Sequence, residues 1–174
     1  MRRPRASYFR FSLRTVFSQS MLVYAASLER QSENGIMSET TLKGSCLCGA
    51  VKYEATGEPA RFYHCHCSRC RKATGTGHAT NLFLQPGLLK WVRGEEQVRS
   101  FKVPEAKRFT NFFCATCGSR LPRQGRDPDL VMIPAGSLDQ EAPIKPQARI
   151  FSGSRTRWSC EGDSVPTYPD YPPQ

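Results

Sequence analysis

The chain has 174 residues, 39% of them hydrophobic, which suits one ordinary domain with a modest buried core. No apolar run approaches the 18 or so residues that a membrane-spanning helix requires, so an integral helical membrane protein is excluded. The formal net charge of +10 overstates the case for a nucleic-acid partner, because the first 36 residues carry six Arg against Glu29 and Glu33, and the rest of the charge is spread without a run of five or six like residues. A modestly basic surface equally suits an enzyme for small acidic substrates.

Residues 1–28 hold five Arg and no Asp or Glu, a composition that resembles a mitochondrial transit peptide. A start codon set too far upstream explains the segment more simply, since Met37 is followed at once by Ser38, Glu39, Thr40 and Thr41, a short polar lead into the first patterned stretch. Residues 1–37 are therefore set aside as an N-terminal extension, expected to be artefactual or disordered in preference to a targeting signal, and residues 38–174 are expected to form the domain.

Within the domain, short apolar or alternating runs punctuated by Gly and Pro predict strands at 42–46, 51–55, 62–66, 78–84, 88–92, 97–103, 107–113, 130–135 and 148–152. Turns fall at 57–59, 86–87, 94, 104 and 126–129. One helical turn is expected at 68–73, with Ser68 as its N-cap and Gly75 as its terminator. The Pro-rich tail after Pro166 cannot join a sheet ladder continuously and is expected to form an irregular strap or to fray. There is no internal repeat and no long stretch of helical period, so the fold class is mainly β. Trp91, Trp158 and the Phe109, Phe112 and Phe113 group are expected in the core.

The chemistry lies in the cysteines. Seven of the eight are clustered two or three residues apart, too close for efficient disulfides between neighbours but well placed to converge on a metal ion, and no secretory signal is evident. A reducing, cytoplasmic setting follows. Cys46 and Cys48 precede Gly49, which allows the chain to turn tightly around an ion, and Cys114-x-x-Cys117-Gly118 forms a second knuckle. These four sulfurs leave no open position, the arrangement of a structural zinc. The second cluster is His64–Cys65–His66–Cys67–Ser68–Arg69–Cys70. If residues 62–67 are extended, Cys65 and Cys67 share one face and His64 and His66 the other, and a turn at 68–69 returns Cys70 beside the first two. Three thiolates leave a coordination position for water or substrate, as in catalytic zinc, although His64, His66 or the isolated Cys160 could close it. Cys160 is otherwise a buried or spare thiol. Arg69, Arg71 and Lys72 place positive charge beside this cluster, with Arg71 and Lys72 the candidate contacts for an anionic thiol. Gly75-x-Gly77 is a turn and no dinucleotide fingerprint, and His78 is either a proton carrier or a structural strand residue.

Taken in order, Gly44-x-Cys46-x-Cys48-Gly49-x-Val51-x-Tyr53, Cys65-His66-Cys67-x-x-Cys70-Arg71 with Gly75, and Arg108 with Phe113-Cys114-x-x-Cys117-Gly118 resemble the glutathione-dependent formaldehyde-activating enzyme and centromere protein V family. The resemblance extends through Ile133-x-Ala135-Gly136-Ser137-Leu138-Asp139, Ile150-Phe151, Trp158 and Pro166-x-Tyr168, covering roughly residues 42–168. It implies a compact zinc-ribbon-like fold of short antiparallel strands with two zinc ions, a structural one on Cys46, Cys48, Cys114 and Cys117 and a catalytic one on Cys65, Cys67 and Cys70. The activity it implies is that of a carbon–sulfur lyase forming S-hydroxymethylglutathione, with a thiol and a small aldehyde as partners. This chain departs from the family in carrying Arg149 where a histidine often precedes the C-terminal Ile–Phe pair. The alternative is a non-catalytic zinc module that meets nucleic acid or protein through a basic surface. The absence of a basic run and of an aromatic-interleaved Arg/Lys patch weighs against nucleic acid.

Overall fold

In a computed structural model of the chain, residues 39–159 and 165–172 are described. The extension and Cys160 lie outside the described residues. The spine is a pair of long antiparallel strands, β2 (Lys52–Cys65) and β3 (Ala79–Arg93), joined at one end by helix α1 (Ser68–Thr74). The sequence divides each of these strands in two, at 57–59 and 86–87, because the apolar alternation breaks there. The break is a shared irregularity and no turn. The register between β2 and β3 slips at Gly57, Pro59 and Arg61, opposite Gly87 and Leu84, and beside the cis Gln85–Pro86 peptide. Tyr53 and Ala55 face inward on one side of the slip and Phe62 on the other, while in β3 Leu82 and Leu84 give way to Leu89 and Trp91. Both strands thus change parity at the same level, and the inward face is kept. A β-carbon on Gly57 would run into the Pro86 carbonyl, so the crossing admits only glycine there.

β1 (Thr40–Ser45) pairs antiparallel with the first half of β2, and β8 (Ala148–Ile150) pairs parallel with Tyr63–Cys65 at its far end. On the other side, β3 carries β7 (Val131–Pro134), which carries β6 (Arg123–Gln124). The result is a six-stranded, largely antiparallel sheet. Beyond the end of β7 the open edge of β3 is served by a side chain. Gln124 accepts from the Leu89 N–H through Oε1 at 3.1 Å and donates from Nε2 to the Gly87 carbonyl at 3.0 Å. β4 (Val98–Lys102) and β5 (Thr110–Cys114) form a separate hairpin. The fold is mainly β, as expected, with two strands longer than the sequence indicates.

The main core gathers Leu42, Tyr53, Phe62, Leu82, Leu84 and Ile133, each side chain worth roughly 1.5–3 kcal/mol on burial. Gly44 is part of this packing. A β-carbon there would overlap the Tyr53 ring, whose hydroxyl meets Ser137 Oγ at 2.8 Å and donates to the Ser137 carbonyl at 3.1 Å. Two smaller cores are built around the cysteine clusters themselves, one from Cys46, Val51, Cys114 and Leu121, the other from Cys65, Cys70 and Ala79. Trp91 packs edge-on to Tyr53 at 6.3 Å, as a core residue should. Trp158 is not in the core: it is 73% exposed, beside Gly77. Residues 165–172 are exposed and form no strand.

Candidate metal centres and the cleft beside them

Cys46, Cys48, Cys114 and Cys117 converge so that their sulfurs all lie within 4.8 Å of one another. The first pair sits just past β1. Gly49, in the left-handed region at φ 70°, returns its N–H to the Cys46 carbonyl at 2.9 Å, and Val51 N–H donates to Cys46 Sγ at 3.2 Å. The second pair closes β5 in the same manner, with Gly118 at φ 72° donating to the Cys114 carbonyl at 2.9 Å. Nothing crowds a β-carbon at either glycine, so the requirement is conformational and not spatial. Cys46 and Cys48 sulfurs are 3.5 Å apart, Cys48 and Cys114 4.0 Å. Both distances are far beyond a disulfide bond and bracket the roughly 3.8 Å between ligands of a tetrahedral zinc with Zn–S bonds of about 2.3 Å. Ser119 hydroxyl accepts from the Leu47 N–H at 3.0 Å and is hydrogen-bonded to Cys117 Sγ, 3.3 Å away. That hydrogen bond is the main reason the Cys117 thiol is held down at about 5. Cys46 is also lowered: burial pushes it up, but the Val51 N–H and the neighbouring thiols outweigh burial.

Cys65, Cys67 and Cys70 form the second cluster, again with sulfurs within 4.8 Å. Cys65 ends β2, held between Ala79 of β3 and Ile150 of β8. The N-cap of α1 is Cys67, not Ser68: its sulfur accepts the Cys70 N–H at 3.4 Å, and its carbonyl takes the Arg71 N–H at 3.1 Å. A sulfur of the cluster therefore lies at the positive end of the helix, where a thiolate is favoured. Gly75 terminates the helix in the left-handed conformation, as expected. The bond from Cys70 holds the Cys65 thiol down at about 6, and the same pairing pushes Cys70 up. Phe109 and Ile150 pack against the cluster and make its apolar wall.

Neither histidine of the motif joins this cluster, and among the described residues no fourth Cys, His, Asp or Glu donor completes it. The strand alternation sends them elsewhere. His66 is fully buried with both ring nitrogens lacking a hydrogen-bond partner, and it lies 5.4 Å from His78, which stacks on His64 at 4.3 Å. Burial lowers the pKa of His64 and His78; the charges of Arg149 and His66 add to it at His64, and those of His64, His66 and Arg149 at His78. Both clusters have the donor chemistry and spacing to hold a metal ion and are compatible with zinc.

Among the two basic residues singled out beside the cluster, Arg71 donates from Nε to the His66 carbonyl at 3.3 Å and Lys72 is exposed in the last turn of α1. Two arginines that sequence reasoning passed over come closer in effect. Arg120 and Arg123 are half-buried just after the second knuckle. Burial lowers both of their pKa values, and the strongest opposing influence on each is Cys70. Arg120 donates from Nε to Asn111 Oδ1 at 2.9 Å. The available signal was their position, three and six residues after Cys117, in a stretch where Leu121 and Pro122 are buried.

Arg120 also lines a cleft of about 730 Å³, with Thr74, His78, Cys46, Ser119 and Asp139 among its walls. None of the Cys65, Cys67 and Cys70 sulfurs lines it directly. The cleft lies one layer from them: Thr74 of its wall donates its hydroxyl to the Cys70 carbonyl at 2.9 Å. Its volume suits a ligand of tripeptide size. No helix among the described residues is long and apolar enough to cross a membrane.

The family described as "Glutathione-dependent formaldehyde-activating enzyme" matches residues 41–154. A Halomonas elongata protein provisionally named a glutathione-dependent formaldehyde-activating enzyme is 36% identical over 113 residues, which cover 61% of this chain and 71% of that protein. A crystal structure of a Rhodobacter sphaeroides protein aligns with 62% of this chain and 99% of its own, at 27% identity and a TM-score of 0.46. With its ordered cysteine motifs, the family match over most of the described chain and a relative at this identity, the chain belongs to the glutathione-dependent formaldehyde-activating enzyme family.

Proposed function

We propose that this chain is a zinc-dependent enzyme of the carbon–sulfur lyase type, joining or cleaving a thiol and a small aldehyde, with glutathione and formaldehyde as the leading pair. The observation that carries the reading is the unequal pair of clusters: four sulfurs on one side, and on the other three sulfurs with no fourth donor among the described residues, one layer from a cleft of tripeptide size. Zinc on Cys65, Cys67 and Cys70 would supply Lewis acidity, favouring the thiolate form of a bound thiol and polarising an aldehyde oxygen. Zinc on the other four would be structural.

The chain's own part is positional. A strand end and the first turn of a helix hold the three sulfurs, Phe109 and Ile150 keep water from one side, and Arg71 and Lys72 are retained as candidate contacts for an anionic thiol. In the forward direction the thiol sulfur bonds to the aldehyde carbon and the carbonyl oxygen takes up the proton that the thiol gives up. No electrons are gained or lost overall, so no redox cofactor is required. His78 lines the cleft and is kept neutral by burial, which suits it to accept that proton and return it. The seven described cysteines are all free, which supports a reducing compartment such as the cytoplasm. The functional unit in this reading is residues 38–174.

The test is adduct formation followed by NMR with the zinc-loaded full chain, the uncatalysed reaction being subtracted. Saturable turnover that disappears in Cys67→Ala is expected. Adduct formation at the uncatalysed rate across a panel of thiols and aldehydes would overturn the proposal.

A further inference from the structure

The half-buried arginines pose a problem of charge balance. Arg123 disfavours charge on Arg120, and no carboxylate lies within ion-pair distance of either among the described residues. Three thiolates on a divalent ion would carry one net negative charge and four would carry two, which offsets the guanidinium charge but offers neither arginine a bidentate oxygen partner. Arg120 is the one that opens on the cleft, and its single hydrogen bond to a protein side chain uses Nε, which leaves both terminal nitrogens, the fork that grips carboxylates, turned to other use.

The same cleft carries a complementary charge. Asp139 lines it as well, fixed by a hydrogen bond from Ser45 Oγ to Oδ1 at 2.6 Å and by its own N–H to the Lys43 carbonyl at 3.0 Å. It too has no ion-pair partner among the described residues. The rest of the polar wall is His78, hydroxyls from Thr74, Thr76, Thr80 and Ser119, and Cys46 and Cys117 of the first sulfur cluster. One cation and one anion set in a hydroxyl-lined cleft match a ligand that itself carries a carboxylate and an ammonium group.

We infer that Arg120 and Asp139 are the specificity determinants of this cleft, Arg120 receiving a carboxylate and Asp139 an ammonium, so that the preferred thiol is of amino-acid or short-peptide type and simple neutral thiols are poor substrates. The inference rests on the functional reading above in taking the ligand to be a thiol, and it adds the two residues that choose among thiols.

Binding can be tested apart from catalysis with S-methylglutathione, a thioether that has both charges of a peptide thiol and cannot be turned over. Calorimetry on the zinc-loaded full chain should show binding that weakens roughly 10- to 100-fold in R120Q, as expected when a charged hydrogen-bond partner is removed. On the ligand side, and without any variant, esterifying the carboxylates should cause a comparable loss with the wild type. That loss should be small with R120Q, because the partner is already gone. N-acetylation of the probe and D139N should be coupled in the same way. The inference is overturned if the wild type does not bind S-methylglutathione at millimolar concentration, if R120Q binds it within twofold of wild type, or if esterification costs the same in both proteins. Turnover of glutathione and formaldehyde on the same proteins separates the two readings. Unchanged KM in R120Q sinks this inference and leaves the enzyme, whereas Arg120-dependent binding without any turnover sinks the enzyme and leaves the receptor.

Discussion

Removing the two sulfur clusters in turn should have very different consequences for stability. Cys48 and Cys114 stand 66 residues apart in sequence, so an ion on the first cluster closes a long loop and ties the end of β1 to the end of β5. Cys65 and Cys70 stand only five apart, and an ion there closes a loop no longer than a helical turn and its approach. Treated as cross-links of the unfolded chain, the first is worth about 4 kcal/mol and the second about 2 kcal/mol. The buried environment widens the gap, since Cys46 and Cys114 are the centre of one of the three cores. Cys114→Ala with Cys117→Ala should therefore lower Tm by roughly 6–10 °C more than Cys67→Ala with Cys70→Ala, or abolish the cooperative transition altogether given a total stability of about 5–15 kcal/mol. The second pair should keep a cooperative transition and lose turnover. Thermal unfolding by circular dichroism, with zinc content measured on the same samples, reads both effects. Equal losses of Tm, or a near-native transition in the first pair, would refute the division into a structural and a working cluster.

Metal analysis with sulfur-sensitive X-ray absorption should find two zinc ions per chain and seven sulfur ligands between them, with a light atom completing one ion; two all-sulfur four-coordinate sites would contradict the three-sulfur reading. Gly44→Ala should destabilise by about 1–3 kcal/mol in chemical denaturation, because the new methyl group displaces the Tyr53 ring, and should cost more than Tyr53→Phe, which removes only hydrogen bonds worth about 1 kcal/mol. Acid should destabilise the fold through the stacked histidines. Burial lowers His64 and His78 in the folded state, so the unfolded chain takes up protons first; the penalty is absent well above pH 6.5 and grows as pH falls below it. His78→Gln should flatten that slope, measured as the difference from wild type at each pH so that acid release of metal cancels; parallel slopes would rule out the stack as the source.

The two knuckles were legible because their information is local. A CxC or CxxC spacing followed by a glycine specifies a turn, and the turn specifies where the sulfurs go, whatever the rest of the fold does. Alternation also foretold that Cys65 and Cys67 would part from His64 and His66, and the structure shows where the histidines went: against His78, which stands just before β3. The long strands were read as four short ones for the opposite reason. A break in alternation signals a turn when only one strand is in view, whereas here two strands break together and continue, and only the pairing of Gly57 with Gly87 discloses it. Trp158 was misplaced because a large aromatic residue near the end of a chain gives no local sign of whether anything will cover it.

Arg120 and Asp139 belong to a further class, residues whose meaning is set by what they lack. Nothing in the sequence distinguishes either from any other surface charge, because the missing partner is a property of three dimensions: Arg120 leaves the second knuckle, Asp139 follows β7, and they meet only across a cleft walled by α1 and the β1 turn. In the sequence, the basic residues that drew notice were those adjacent to the motif, Arg71 and Lys72, and a short helix beginning at Cys67 turns Arg71 back onto the His66 carbonyl and leaves Lys72 at the surface. Adjacency in sequence to a metal ligand thus tells where a side chain starts, and the sheet decides which charges face the ligand. A thiol enzyme built on this plan could change its preferred thiol through Arg120 and Asp139 without disturbing either cluster of sulfurs.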